Sequence, residues 1–246
     1  MFEDTGSPLK ISLDDEVSNL LIPDLDDNIR KIFFDTETSG LDYRTCKIIE
    51  LAMLVVEDGE IVEEYDEFID IGKRISPKIT EINGITNSML ISEGIREEKV
   101  AKDLKSRLSS GTLMIAHNCQ FDLSFIYQLL KRHYPYDADK IVKNLYWLDT
   151  VTILKDRKAY PHKLIDAVNH YGVKKTNSHR AIDDAKALYG IYMAMKAERD
   201  DCHEYVNVFG YNPRYGVNGI RFPFIEYKRH DFNDHMVPQN YILPRK

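Results

Sequence analysis

Asp35 and Glu37 stand two residues apart just beyond a short apolar run, Ile32-Phe33-Phe34. The run reads as a buried strand, and along an extended chain residues i and i+2 face the same way. Both carboxylates therefore leave one strand end together, and Gly40 lets the chain turn away. Paired carboxylates repel each other and resist desolvation unless positive charge lies between them. A hard divalent cation that prefers oxygen ligands, Mg2+ or Mn2+, meets that need. An isolated Asp-x-Glu is more often a plain polar strand end, so the reading draws its weight from two further clusters. His117-Asn118-Cys119-Gln120-Phe121-Asp122 joins a short buried strand to a helix, with Asp122 in the first turn, where the macrodipole favours a carboxylate. His179-Arg180-Ala181-Ile182-Asp183-Asp184 opens another helix, with His179 just before it and Asp184 inside it.

Taken singly, each cluster reads as an ordinary helix start. Together they leave Asp35, Glu37, Asp122, Asp184 and His179 at strand ends and helix starts, positions that converge on a crevice in α/β sheets. Four carboxylates in one crevice call for about two divalent cations. Two ions about 3.5–4 Å apart form the clamp for in-line displacement at phosphorus, one activating water and the other stabilising the leaving oxygen. His179, with an ordinary pKa of about 6.5, fits the general base.

The elements that must position these residues follow from pattern. Strands are expected over 31–35, 47–57 and 61–69, the last two joined by the Asp58-Gly59 turn, as a three-stranded antiparallel meander. Pro77 breaks the pattern, and Thr86 reads as a helix N-cap. Apolar residues Ile95, Val100, Leu104 and Leu108 predict one helix over 93–108. A short strand is expected at 113–116, a helix over 121–134, a strand at 145–148, and helices over 162–171 and 180–196. Strands followed by alternating helices and strands imply an α/β architecture, a mixed sheet with helices packed against it.

The four segments Asp-Thr-Glu-Thr-Ser-Gly-Leu (35–41), Asn-Gly-Ile-Thr (83–86), His-Asn-Cys-Gln-Phe-Asp (117–122) and His-Arg-Ala-Ile-Asp-Asp-Ala (179–185) together resemble the motif set of the DEDDh (DnaQ-like) 3′–5′ exonucleases. The resemblance spans about residues 30–200. It implies an RNase H-like fold with a five-stranded mixed sheet, and stepwise release of nucleoside 5′-monophosphates from a 3′ end. It assigns Asp35, Glu37, Asp122 and Asp184 to two divalent ions, Mg2+ or Mn2+, and His179 to the base. Thr36, Thr38, Ser39, Gly40 and Leu41 match the pocket for the terminal nucleotide, with Leu41 as an apolar wedge, and His117, Asn118 and Phe121 match the substrate groove. Asp183 reads as supporting or surface, Cys119 as filler, and Asp149-Thr150 as a structural strand end. Single-stranded DNA 3′ ends are the expected substrate, with RNA as the alternative and a DNA polymerase as a candidate partner. A non-catalytic nucleic-acid- or protein-binding module with the same fold is the competing reading, and the complete acid set argues against it.

Composition sets the outer limits. The chain has 246 residues, 43% of them hydrophobic, enough for a substantial core. No apolar stretch reaches membrane-spanning length, the start lacks a signal-peptide pattern, and Cys46, Cys119 and Cys202 are dispersed, so a cytoplasmic protein without disulfides is expected. The net charge of -7 is uneven: residues 1–70 hold 20 acidic and 5 basic side chains, the remainder 20 and 28. The later part can thus face phosphates. The expected organisation is an acidic leader over 1–29, the exonuclease domain over 30–200, and an extension over 201–246. In that extension Tyr205, Phe209, Tyr211 and Tyr215 interleave with Arg214 and Arg221. Such residues either stack bases and meet phosphates or pin the segment to the domain surface.

Overall fold

The computed structural model describes residues 28–174 and 180–230. The acidic leader up to residue 27, His179 and the last part of the extension lie outside the described residues. Strands β1 (Lys31–Thr38), β2 (Ile48–Glu57) and β3 (Glu60–Asp70) form the expected meander, antiparallel throughout. β2 is buried along nearly its whole length, as its two-sided apolar pattern requires. On the other side of β1, β5 (Leu113–Ala116) and β6 (Tyr146–Asp149) pair in parallel. The C-terminal ends of β1, β5 and β6 therefore open on the same side of the sheet.

Helix α1 (Pro77–Asn83) begins where the sequence suggested only a break, because proline is well suited to the first helical position, where no N–H is needed. Thr86 caps α2 (Asn87–Ser92) as expected, its hydroxyl accepting from the Met89 N–H at 3.2 Å. The helix predicted over 93–108 is instead split into a two-residue strand, β4 (Ile95–Arg96), and α3 (Glu97–Arg107). β4 joins the edge of β3 and makes the sheet six-stranded, in the order β4-β3-β2-β1-β5-β6, rather than five-stranded. Gly94 permits this: a Cβ there would lie 2.7 Å from the Asp70 nitrogen at the end of β3.

After β5 come α4 (Cys119–His133), α5 (Ala138–Lys143), β6 and α6 (Thr150–Arg157), then α7 (Leu164–Tyr171) and α8 (Ala181–Glu198). α6 has no clear apolar stripe, because seven of its eight residues are buried, and a helix buried all round carries little periodic signal. The alternation of β1 divides two cores. Ile32 and Phe34 pack on the face that carries α3 and α4. Phe33 packs on the other, edge-on to Tyr189 and Tyr192 of α8 at 5.1 and 5.4 Å. Both faces of the sheet are covered, as a sheet with parallel strands requires.

The extension folds back onto this body. A 3-10 turn (Cys202–Tyr205) leads into β7 (Val208–Tyr211), which pairs in parallel with β8 (Glu226–Arg229). Tyr205, Phe209 and Phe222 are buried. Asn207 ties the segment to β6: its N–H donates to the Trp147 carbonyl at 2.7 Å and its side-chain oxygen accepts from the Trp147 N–H at 2.9 Å. Much of the aromatic content of 201–230 is therefore packing against the domain.

Candidate active site

β1 carries its alternation past the core. Phe33, Asp35 and Glu37 share the face toward α8, while Thr36 faces α4. The Thr36 hydroxyl donates to Asp122 Oδ1 at 2.6 Å, joining the end of β1 to the first turn of α4. Asp184 occupies the first turn of α8, which packs along β1. Asp35 sits among the other three acids. Burial pushes its carboxyl well above the usual range, and Asp122, Asp184, Glu37 and Glu50 each add to the rise. Asp122 is buried and pushed up to about 7, chiefly by desolvation, against the bond from Thr36, with Glu37 and Asp149 contributing. The structure thus brings together Asp35, Glu37, Asp122 and Asp184.

The donor set is carboxylate oxygen, the chemistry a hard divalent cation takes. Carboxyls that hold protons this strongly are negative charges short of compensation, and a cation supplies it. Among the described residues no group of three or more His, Cys, Asp or Glu side chains stands in an arrangement that could hold a metal ion without side-chain adjustment.

Three supports hold the acids. Asn83, at the end of α1, is buried and donates from Nδ2 to Glu37 Oε2 at 3.2 Å, while its Oδ1 accepts from the Ile85 N–H at 3.1 Å. The Asn-Gly-Ile-Thr segment is thereby part of the site. Glu50 is fully buried opposite Glu37 in the β1–β2 register. It accepts from Arg180 Nε at 2.5 Å and from the Ala181 N–H at 3.3 Å, fixing the start of α8. Burial pushes Glu50 up to about 6, with Arg180 opposing the rise. Arg180 also bonds Asp66 at 2.9 Å and lies 4.5 Å over the Phe68 ring. Glu50 belongs to no motif in the sequence; its one signal is a lone acid inside an otherwise apolar central strand.

Asp149 is the third support. Its Oδ1 accepts from the N–H groups of Asn118 (2.9 Å), Cys119 (3.2 Å) and Val151 (3.1 Å), and its Oδ2 from the Thr152 hydroxyl (2.8 Å). It is a buried bracket for two helix starts, as a structural strand end should be. Asn118 adopts a left-handed conformation there, with φ 73°, which Asn tolerates better than most residues. Burial pushes the Cys119 thiol well up, with Asp149 and Asp122 adding, so it is packing and no nucleophile.

The remaining sequence candidates fall around this centre. The Thr38 hydroxyl donates to the Gly40 carbonyl at 2.8 Å, and the Ser39 hydroxyl accepts from the Lys47 N–H at 3.0 Å. Gly40 lies so near Cys46 that a Cβ would meet its sulfur at 2.6 Å. These contacts shape a tight turn that leaves Leu41 83% exposed. Phe121 packs against Phe125 with ring centres 4.8 Å apart. The His117 ring spans Thr150 Oγ1 at 2.9 Å and the His162 carbonyl at 3.0 Å, and burial holds its pKa down. His179 lies outside the described residues, directly before Arg180.

An exonuclease family model, RNase T, matches residues 32–192. The PolC-type DNA polymerase III of Clostridium perfringens is 34% identical over 205 residues, covering 80% of this chain and 13% of the polymerase. That of Latilactobacillus sakei is 29% identical over 216 residues, covering 86% and 14%. The chain thus spans about a seventh of the length of these relatives. Among solved structures, an exonuclease I superposes with a TM-score of 0.64 at 17% identity, covering 72% of this chain and 43% of that one. E. coli exonuclease I in complex with a dA16 oligonucleotide gives 0.62 at 18% identity, covering 72% and 42%. The zinc-bound form of the E. coli enzyme with single-stranded DNA gives 0.62 at 18% identity, with the same coverage. These likenesses carry the fold. Because the family match runs from the first core residue of β1 well into α8, and so takes in every acid of the cluster, the chain belongs to this exonuclease family, among the DnaQ-like members of the RNase H-like superfamily, as its four motifs implied.

Proposed function

We propose that this chain is a DEDDh 3′–5′ exonuclease that removes nucleoside 5′-monophosphates from the 3′ end of single-stranded DNA. The observation that carries the reading is the convergence of Asp35, Glu37, Asp122 and Asp184 where the Thr36–Asp122 bond ties β1 to α4 and α8 packs along β1; burial first, then the neighbouring acids, raise the Asp35 carboxyl there. These four residues would hold two divalent ions, Mg2+ or Mn2+, whose chemistry there is activation of water and neutralisation of the leaving oxygen. His179, one residue before the Arg180–Glu50 anchor, accepts the proton of the attacking water. Exposed Leu41 wedges against the terminal base, and Thr36 of β1 and the Thr38–Leu41 turn, with His117, Asn118 and Phe121, seat the last nucleotide. The PolC relatives support a place beside a DNA polymerase, and free-standing end trimming is compatible with the same chemistry. The test is a time course on matched DNA and RNA oligonucleotides labelled at the 3′ or the 5′ end, with divalent ions or with EDTA. Immediate mononucleotide release from the 3′ label, a 5′-labelled ladder and silence in EDTA are expected. Endonucleolytic products, or faster cleavage of RNA than DNA, would overturn the reading.

Two further outcomes are expected at this site. Asn83→Ala removes the amide that holds Glu37, a hydrogen bond to a charged group of about 1.5–3 kcal/mol. It should lower kcat roughly tenfold or more, with a higher Mn2+ requirement in steady-state titrations. Metal-free protein should also lose stability as pH rises. Asp35 and Asp122 titrate higher folded than unfolded, so above about pH 4 the folded state keeps protons that the unfolded state has released. The Asp122 contribution is full below its unfolded pKa and disappears as pH climbs through about 7, and that of Asp35 runs in the same direction. In EDTA the melting temperature should fall between about pH 5 and 8, and Mg2+ or Mn2+ should remove most of that fall. A melting temperature that rises over the same interval in EDTA would contradict the burial of these acids together.

A further inference from the structure

The C-terminal ends of β1, β5 and β6 open on one side of the sheet, and the four acids gather where β1 meets the first turns of α4 and α8. Beyond the ends of β5 and β6 lies a cleft of about 560 Å³, lined among others by Asn118, Lys155, Tyr160, Lys163, Asn212 and Tyr215. Asn118 is one helical turn from Asp122, so the near wall of the cleft adjoins the carboxylate cluster. The far wall comes from the segment after α8, beyond the residues matched by the family model. That wall is built in place. The Gly210 N–H donates to Thr152 Oγ1 at 2.9 Å, and the Asn212–Gly216 turn closes on itself.

The lining has the chemistry of a single strand's own surfaces. Tyr215 is 75% exposed and Tyr160 60% exposed, so neither ring is used by the core. Outside that lining, Arg214 lies 5.5 Å over the Tyr215 ring, and Arg221 lies 4.7 Å over the ring of Tyr227, which lines the adjoining smaller cavity. Lys155 and Lys163 form no ion pair among the described residues. The one acid of the adjoining smaller cavity, Asp149, has its carboxylate occupied by Asn118, Cys119, Val151 and Thr152. Exposed aromatic rings with lysines between them, and no competing carboxylate, suit stacked bases and a phosphate backbone.

We propose that this cleft is a second subsite, assembled by residues 208–230 against the exonuclease domain, that holds the single-stranded DNA upstream of the 3′-terminal nucleotide. Bases stack on Tyr215 and Tyr160, and phosphates meet Lys155 and Lys163. The proposal rests on the 3′–5′ exonuclease reading, and it gives the extension a role in gripping long substrates.

The full chain carrying Tyr215→Ala and Lys163→Ala, both exposed positions, is compared with wild type on a trinucleotide and on an oligothymidylate of about fifteen nucleotides. KM for the long substrate should rise about fivefold or more, the loss of roughly one stacked base, while kcat and the trinucleotide KM stay put. An unchanged KM on the long substrate, or an equal rise on both, overturns the subsite. Fluorescence anisotropy of the labelled long oligonucleotide in EDTA reads the cleft without hydrolysis. Weaker binding by the double variant supports the subsite even if wild type cleaves nothing, an outcome that would count against the exonuclease reading alone. Equal binding by variant and wild type overturns the subsite.

Discussion

Asp35→Ala should abolish turnover without lowering the melting temperature of the metal-free protein. Removing one of the acids proposed to hold the ions would forfeit several kcal/mol of transition-state charge stabilisation, a loss of about a thousandfold or more at roughly 1.4 kcal/mol per factor of ten. An ordinary buried polar group would also destabilise the fold when removed. Asp35 differs, because burial and the charges of Asp122, Asp184, Glu37 and Glu50 all work against its carboxylate. Without cations its removal relieves repulsion. The signature is therefore a split: activity lost, EDTA melting temperature equal or higher, and the stabilisation by Mn2+ reduced. Steady-state kinetics and thermal melts with and without Mn2+ read all three. Asp35→Ala with wild-type turnover would remove the site, and a large loss of stability in EDTA would make Asp35 a structural residue.

The second large effect belongs to Arg180. Its guanidinium is the cation bonded to Glu50, which has 0% exposure, and it reaches Asp66 as well. Arg180→Ala leaves a buried carboxylate without its partner; because the guanidinium itself is 38% exposed, the cost should fall below the value of about 3–5 kcal/mol for fully buried pairs. The start of α8 loosens with it, and the first turn of α8 carries Asp184. Both stability and kcat should fall. The stability loss should be larger at pH 8 than at pH 5, because Glu50 is already pushed up to about 6 and, without Arg180, escapes the penalty by taking a proton in acid. Denaturant unfolding at the two pH values checks this. Replacing both partners, Glu50→Gln with Arg180→Met, should recover much of the stability, as buried pairs exchanged for neutral groups do. A single Arg180→Ala variant as stable and active as wild type would show that the pair holds nothing.

Much of this arrangement is legible in the chain because its determinants are local. The Ile32-Phe33-Phe34 run followed by Asp-x-Glu defines a strand end, and Asp58-Gly59 defines the hairpin that makes β2 antiparallel to β3. Those signals put Asp122 and Asp184 in first helical turns, as observed, and Asp35 and Glu37 at the end of β1, which in fact continues past both to Thr38. What the chain hides is tertiary. Glu50 looks like a polar interruption of β2 until Arg180, 130 residues away, is seen bonded to it. Asn83 looks like a turn residue because its bond to Glu37 bridges 46 positions. β4 was concealed because Ile95 also fits a helical stripe, and only the close approach of Gly94 to β3 separates the two readings. The tail's aromatics divide between roles that no local pattern distinguishes: Tyr205, Phe209 and Phe222 are buried, while Tyr215 stays in solvent. Truncation after residue 200 would strip core side chains along with surface ones, so point substitutions are the sharper probe of the extension.

The most direct test is anomalous diffraction from crystals grown with Mn2+ and a nucleoside 5′-monophosphate. The expected result is anomalous density bounded by the carboxylates of Asp35, Glu37, Asp122 and Asp184, with the nucleotide phosphate against it and Leu41 against the base. Full Mn2+ occupancy elsewhere with no peak among these four side chains would contradict the account.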